Sequence, residues 1–82
     1  MIHATIYGLV INYKGVVPLP EITTWASERP FDTMAEAYRM AKATGRNAAA
    51  YGAPLDAMVV CSREEGTIIL DRRDCFRPDR NL

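Results

Sequence analysis

The sequence predicts an α+β domain, with an antiparallel β-sheet of three to four strands and one α-helix packed on one face. Three observations lead to this fold class. The chain begins with a β-branched and aromatic stretch, has an amphipathic helical pattern near its middle, and carries two strand patterns that form a hairpin towards its end. Its 82 residues suffice for one domain with a small core, so we expect residues 1–82 to form a single unit.

The first predicted strand covers residues 2–13, which are rich in β-branched and aromatic side chains and are followed by a Lys14-Gly15 turn. The alternation of apolar residues in this strand is broken after Gly8. A β-bulge at Gly8 would switch the two faces, and burial of both faces near residues 9–11 would produce the same pattern. The sequence leaves both explanations open.

The next segment, residues 16–25, contains Pro18 and Pro20, neither of which can donate a hydrogen bond to a sheet. It is predicted to be an edge strand or an irregular return, with its best pairing in residues 21–25. The polar residues 27–30 are predicted to link it to the helix. Trp25 is expected to pack against the helix or the core rim, and the alternative is an exposed anchor for a partner.

The helical pattern covers residues 31–45. Thr33 and Glu36 have the spacing of a capping box, in which both side chains accept hydrogen bonds from free amides of the first turn, and Asp32 is an alternative cap. Apolar and charged residues fall on opposite sides; the apolar stripe comprises Met34, Ala37, Tyr38 and Ala41, and the charged side comprises Glu36, Arg39 and Lys42.

The helix is predicted to end near Thr44. Gly45 lies where a left-handed cap residue is favoured, and the charges of Lys42 and Arg46 suit the carbonyl end of the helix dipole. Residues 47–56 are expected to be mostly connection, since they contain Gly52 and Pro54.

A hairpin is predicted from two strands, residues 57–62 and 67–71, which are separated by Arg63-Glu64-Glu65-Gly66. Gly66 takes the left-handed position of the turn. Residues 72–82 are expected to form a loosely held surface tail. With one helix available, the second face of the sheet should be at least partly exposed, where a partner or a second copy can bind.

Ten basic and ten acidic residues give a formal net charge of zero, which argues against a general nucleic-acid binder and against an acidic mimic of DNA. The longest apolar run, residues 6–11, is too short to span a membrane. Met1 leads straight into a strand pattern without a cationic leader. We therefore expect a cytoplasmic protein that does not bind membranes.

No local motif indicates catalysis. His3 is the single histidine, and with Cys61 or Cys75 it could form a thiol nucleophile and its base, but a strand-surface histidine and reduced cysteines, one buried in a strand, are the simpler interpretation. One histidine and two separated cysteines are too few for a structural zinc site. The sequence therefore predicts a protein without enzymatic activity, metal or cofactor.

The remaining local features are charged. Glu64 and Glu65 form the predicted hairpin tip. The tail contains four arginines that could contact phosphates or an acidic protein patch, but aspartates interrupt them, and a solvated, mutually neutralising tail is the simpler interpretation; the arginines are Arg72, Arg73, Arg77 and Arg80, and the aspartates are Asp71, Asp74 and Asp79.

The strand-rich start, the helix TMAEAYRMAKATG and the closing hairpin AMVVCSREEGTIIL resemble small single-domain proteins of phages and mobile elements, among them the compact anti-CRISPR inhibitors of type I systems. The resemblance covers most of the chain and is one of size and architecture. It implies a non-enzymatic protein that binds a subunit of a CRISPR surveillance complex in the host bacterium and blocks recruitment of target DNA. The neutral charge departs from the acidic DNA-mimic members and favours steric blocking.

Two main hypotheses follow. The first is this inhibitor, a monomer or weak homodimer without direct nucleic-acid contact, whose expected contacts are Glu64, Glu65, Arg72, Arg73 and Arg77. The second is a small structural or accessory domain that self-associates through its sheet. A nucleic-acid-binding role is third, and a salt-sensitive mobility shift would distinguish it.

Overall fold

The computed structural model describes residues 1–12 and 19–79, and for residues 11–12 and 19–27 it describes the backbone alone. It confirms the predicted fold class, a four-stranded antiparallel sheet with one α-helix on one face. The elements are β1 (Ile2–Asn12), β2 (Leu19–Phe31), α1 (Met34–Ala50), β3 (Ala57–Ser62), β4 (Gly66–Asp71) and a short 3-10 helix (Asp74–Phe76).

The strand order in the sheet is β2-β1-β3-β4, and every neighbouring pair is antiparallel. The β3–β4 hairpin has the predicted form, and Gly66 takes a φ of 86°, a conformation that favours glycine. β2 is an edge strand, as its prolines predict. β1 lies inside the sheet and pairs with β2 on one side and with β3 on the other.

The core lies between α1 and one face of the sheet. Because side chains of a strand alternate between faces, β1 contributes Ile2, Ala4 and Ile6 to this side, and β3 contributes Met58 and Val60. Each fully buried aliphatic side chain of this kind stabilises the fold by about 1.5–3 kcal/mol. The buried alanines of the helix allow its backbone to approach the sheet closely; the helix contributes Ala37, Tyr38 and Ala41, β4 contributes Leu70, and β2 contributes Phe31.

The irregularity predicted near Gly8 is present, but β1 does not carry the additional residue. Gly8 lies opposite Trp25 while Leu9 lies opposite Thr23, so the extra residue belongs to β2. Against β3, the register of β1 continues past Gly8 without a shift. The side chains of β1 therefore continue to alternate between the two faces past Gly8. The bulges lie in β2, within residues 21–25, which were predicted to be the best-paired part of that segment.

The predicted linker of residues 27–30 is wrong, because β2 continues to Phe31. Ile2 pairs with Phe31 and His3 pairs with Pro30, so β1 offers a pairing partner along its whole length. Pro30 is tolerated because β2 is an edge strand. Phe31, which the helical pattern included, is instead the buried last residue of this strand.

The predicted cap at the start of α1 is confirmed. The Thr33 hydroxyl accepts a hydrogen bond from the Glu36 backbone N–H at 3.2 Å. In return, the Glu36 carboxylate accepts from the backbone N–H of Asp32 at 3.0 Å, one residue earlier than in a standard capping box. Asp32, the alternative cap, serves as this donor.

The predicted end of the helix is wrong: α1 continues to Ala50, and its left-handed glycine is Gly52, with φ of 77°. The backbone N–H of Gly52 donates to the Ala49 carbonyl at 3.1 Å, and that of Ala53 donates to the Ala48 carbonyl at 3.0 Å. These two bonds form a Schellman motif, which satisfies the last carbonyls of the helix.

Gly45 lies inside α1 rather than at its end, and a glycine is needed at this position because the 3-10 helix packs closely against it. A Cβ atom built on Gly45 would overlap the sulfur of Cys75 and lie 3.4 Å from Met58 Cγ. Cys75 is the buried cysteine, and it lies in the 3-10 helix, so the expectation of a buried cysteine in a strand is wrong. The strand cysteine, Cys61, is half-buried, and both thiols are free.

No helix in the described part of the chain is both long enough and apolar enough to cross a membrane.

Candidate protein-binding face

The face of the sheet that points away from α1 is the candidate site, and we call it the open face. Its side chains are those that alternate with the core residues along each strand. Among residues with described side chains, neither α1 nor the 3-10 helix packs against it, because both lie on the core side. The open face includes His3, Thr5, Tyr7 and Leu9 of β1, Glu28 and Pro30 of β2, Ala57, Val59 and Cys61 of β3, and Thr67, Ile69 and Asp71 of β4.

An apolar row crosses the middle of the open face. Tyr7 lies opposite Val59, which lies opposite Ile69, so three neighbouring strands contribute one side chain each. Tyr7 and Val59 are half-buried, whereas Ile69 is 63% exposed. Exposed apolar residues that stand alone are ordinary, but a contiguous row beside polar groups is typical of an interaction surface.

A polar row lies next to the apolar one. Glu28, Thr5, Cys61 and Thr67 face one another in register across all four strands. Where this row approaches the hairpin turn, it borders a pocket of about 540 Å³, which we call the tip pocket. The tip pocket is lined by His3, Thr5, Glu28, Cys61, Ser62, Arg63 and Glu64.

The hairpin turn is held by Ser62. Its hydroxyl donates to the Glu64 carboxylate at 2.9 Å and accepts from the backbone N–H groups of Glu64 and Glu65, each at 3.2 Å. The hydrogen bond from Ser62 lowers the pKa of Glu64, and the Glu64 backbone and nearby His3 add to this effect. Glu64 is therefore ionised at neutral pH.

The two glutamates predicted as contacts line different clefts. Glu64 lines the tip pocket, on the side of the open face. Glu65 lines a cleft of about 530 Å³ beside the start of α1, together with Thr33 and Ile68. Glu28 completes the tip pocket from β2, and sequence reasoning missed it because residues 27–30 were assigned to a linker rather than to a strand paired with β1.

The predicted arginines lie at the opposite end of the hairpin from the glutamates. β4 separates the two groups, and its six residues span roughly 20 Å. Arg72 pairs with Asp56 at 2.7 Å, and Arg77 pairs with Asp74 at 2.9 Å. Arg73 makes no ion pair with another described residue. The structure therefore does not join the predicted contacts into one site.

Residues 72–79, part of the predicted tail, contact α1 through two basic side chains. Lys42, only 2% exposed, donates to the backbone carbonyl of Arg77 and pairs with Asp79. Arg46 donates to the Cys75 carbonyl at 3.1 Å. The assignment of Lys42 to the solvent-facing side of the helix is wrong, because these residues cover it. Its position four residues after Tyr38, beside the apolar stripe, was the available signal.

Of the two cysteines that could act as a nucleophile with His3 as its base, only Cys61 lies near His3. His3 and Cys61 line the same pocket, because Cys61 faces Thr5 and His3 is therefore its diagonal neighbour. Cys75 lies on the core side of the sheet. Burial raises the pKa of the Cys75 thiol, and the adjacent Asp74 carboxylate adds to this, so Cys75 remains protonated.

A third cavity, an apolar groove of about 550 Å³, lies at the end of α1. Tyr51 is 87% exposed beside it, so an aromatic ring is presented to solvent next to an apolar surface. The side chain of Trp25, for which the sequence left two positions open, lies outside what the structure describes. Within residues 1–12 and 19–79, no three side chains of His, Cys, Asp or Glu come together in a group that could hold a metal ion.

No family model, curated protein or solved structure matches this chain.

Proposed function

We propose that this protein is a non-enzymatic inhibitor, encoded by a phage or mobile element, that acts in the cytoplasm of a bacterial host. It binds a protein subunit of a type I CRISPR surveillance complex and blocks recruitment of target DNA. The apolar row of Tyr7, Val59 and Ile69 supports the protein-binding part of this proposal. The choice of partner rests on the resemblance in size and architecture to type I anti-CRISPR inhibitors.

An apolar centre with a polar border is the arrangement that protein interfaces use. On the open face, the polar row that contains Thr5 and Glu28 borders the apolar row on one side. A partner that buries Ile69 would remove a largely exposed aliphatic side chain from water, which favours association. The zero net charge favours steric blocking over electrostatic imitation of DNA.

The second candidate function is self-association of a small accessory domain through the same face. It is favoured by the same exposed Ile69, because a two-fold axis through the apolar row would place it against the row of a second copy. Self-association through this face requires a dimer that loses its stability in Ile69→Arg, so sedimentation of both proteins across a concentration series tests it.

The experiment that tests the proposal is co-purification with a type I surveillance complex, followed by a target-DNA mobility shift. Wild-type protein should elute with the complex and abolish its DNA binding. Ile69→Arg should lose both effects, because it places a charge in the centre of the interface. Met40→Arg is the matched control, since Met40 is also exposed but lies on α1, on the other side of the molecule.

Retained inhibition by Ile69→Arg would contradict the role of the open face. Failure of the wild-type protein to bind the complex would contradict the choice of partner. If the wild-type protein did not bind the complex but dimerised, and Ile69→Arg were monomeric, self-association would replace inhibition as the function of this face.

A further inference from the structure

The tip pocket has the chemistry of a receptor for a basic side chain. We propose that it receives an arginine side chain of the partner protein, whose guanidinium lies between the carboxylates of Glu28 and Glu64. This inference rests on the proposed protein-binding function and specifies part of the recognition. The volume of about 540 Å³ accommodates such a side chain.

The acceptors of the tip pocket come from three separate parts of the chain. Glu28 projects from β2, Thr5 from β1, and Glu64 from the β3–β4 turn, while the Ser62 hydroxyl is already occupied by its bonds within the turn. Two carboxylates and the Thr5 hydroxyl therefore line one space. A guanidinium offers five N–H donors in a planar fork, which suits several acceptors better than the compact ammonium of lysine does.

The charge of the tip pocket favours a cation. Two carboxylates, those of Glu28 and Glu64, outnumber the single guanidinium of Arg63 in the pocket lining. Glu28 is exposed and makes no ion pair with another described residue, so its charge is available to an incoming group. Arg63, also exposed and without a described ion-pair partner, is a neighbouring cation whose charge opposes that of the incoming group.

The location of the tip pocket connects it to the apolar row. Thr5 of the tip pocket and Tyr7 of the apolar row are two residues apart on the same face of β1, a separation of about 7 Å. A partner that covers Ile69 and Val59 can therefore place an adjacent arginine in the tip pocket. The two features form one continuous surface with an apolar and an acidic part.

The inference can be tested without any surveillance complex, with N-acetyl-arginine methylamide as the probe in an NMR titration. We expect saturable shifts of the backbone amides of Thr5, Glu28 and Ser62 in the wild-type protein. Glu28→Gln and Glu64→Gln should each weaken binding by about threefold, as expected for one exposed charge pair. Glu65→Gln is the matched control, because it removes the same charge from the same turn but from a different cleft.

Arg63→Gln tests whether the positive charge of Arg63 opposes binding of the cationic probe. Removal of the Arg63 guanidinium should tighten binding of the arginine probe by about threefold, because a like charge beside the bound guanidinium is gone. Preserved amide spectra establish that each variant is folded. No saturable shift, equal loss in Glu65→Gln, or weaker binding in Arg63→Gln would overturn the inference, and tighter binding of the matching lysine probe would overturn the assignment to arginine.

The two proposals fail in different ways. If the complex binds but Glu28→Gln and Glu64→Gln bind the probe like wild type, the tip pocket is not the receptor and the inhibitor function is unaffected. If the probe binds as expected but no surveillance complex is captured, the receptor is supported and the partner is a different protein.

Discussion

The Nζ atom of Lys42 lies 2.5 Å from Oδ1 of Asp79, so a buried cation in the middle of α1 pairs with a carboxylate near the end of the described chain. The ammonium also donates to the Arg77 carbonyl and lies 5.8 Å from the centre of the Tyr38 ring. Because an unpaired buried charge is costly, Lys42 requires these partners. The final described residues are therefore a structural part of the domain's surface above α1.

Removal of the two partners of this ion pair should have unequal effects. Lys42→Met replaces a buried ammonium by an apolar side chain of similar length, and it leaves Asp79, which is 52% exposed, free to be solvated. Asp79→Asn leaves the buried ammonium without its counter-charge. We expect Asp79→Asn to have the lower melting temperature of the two, measured by circular dichroism, and Lys42→Met to show faster amide exchange in residues 74–79.

Asn47→Met is the control for this pair, because Asn47 is exposed on the same helix and its replacement should change neither quantity. A larger loss of melting temperature in Lys42→Met than in Asp79→Asn would contradict the account, since it would mean that the ammonium stabilises the fold by more than its counter-charge does.

The same pair predicts a dependence on pH. Hydrogen bonding from Lys42 lowers the pKa of Asp79 below its ordinary value of 3.8. A carboxyl group whose pKa is lower in the folded state contributes stability above its unfolded pKa, and the contribution is lost as the pH falls through the folded pKa. Protection of residues 74–79 from amide exchange should therefore persist at pH 5 and decrease below about pH 3.8.

The measurement is an NMR titration of the Asp79 side chain in wild type and Lys42→Met. The Asp79 carboxyl should titrate at a higher pH in the variant, because the hydrogen-bond donor is gone. An identical titration in both proteins would show that the ion pair is absent in solution.

Local signals in the sequence predicted the elements better than their ends. The capping residues Thr33 and Glu36 and the turn residue Gly66 act within a few positions of the chain, so their roles were predictable. The strand at residues 27–30 exists because β1 lies alongside it, and a partner distant in sequence leaves no local signal.

The candidate site was harder to predict for the same reason. The sequence places Glu64 beside Glu65, yet the turn directs them into different clefts. Glu28 joins Glu64 only through pairing of β2 with β1 and of β1 with β3. Lys42 lies at the border of the apolar stripe, and its burial depends on a tail that folds back from 37 residues further along the chain.

The two helix-associated glycines should both be destabilised by alanine, but for different physical reasons. Gly45→Ala gains about 1 kcal/mol of helix propensity but overpacks the contact with Cys75, at a cost of about 1–3 kcal/mol, so we expect a net loss of stability. Gly52→Ala should also destabilise, by about 1 kcal/mol, but because its φ of 77° strains an alanine. No described atom lies within 4 Å of a Cβ built on Gly52.

Urea unfolding in a Cys75→Ala background distinguishes the two causes. Without the sulfur, most of the overlap at Gly45 is removed, so Gly45→Ala should become close to neutral, because the remaining contact is with the Cys75 Cβ at 3.3 Å. Gly52→Ala should cost the same in both backgrounds, since backbone strain does not depend on Cys75. If the cost of Gly45→Ala were equally unchanged, the close approach of α1 to the 3-10 helix would not be the reason that position 45 is a glycine.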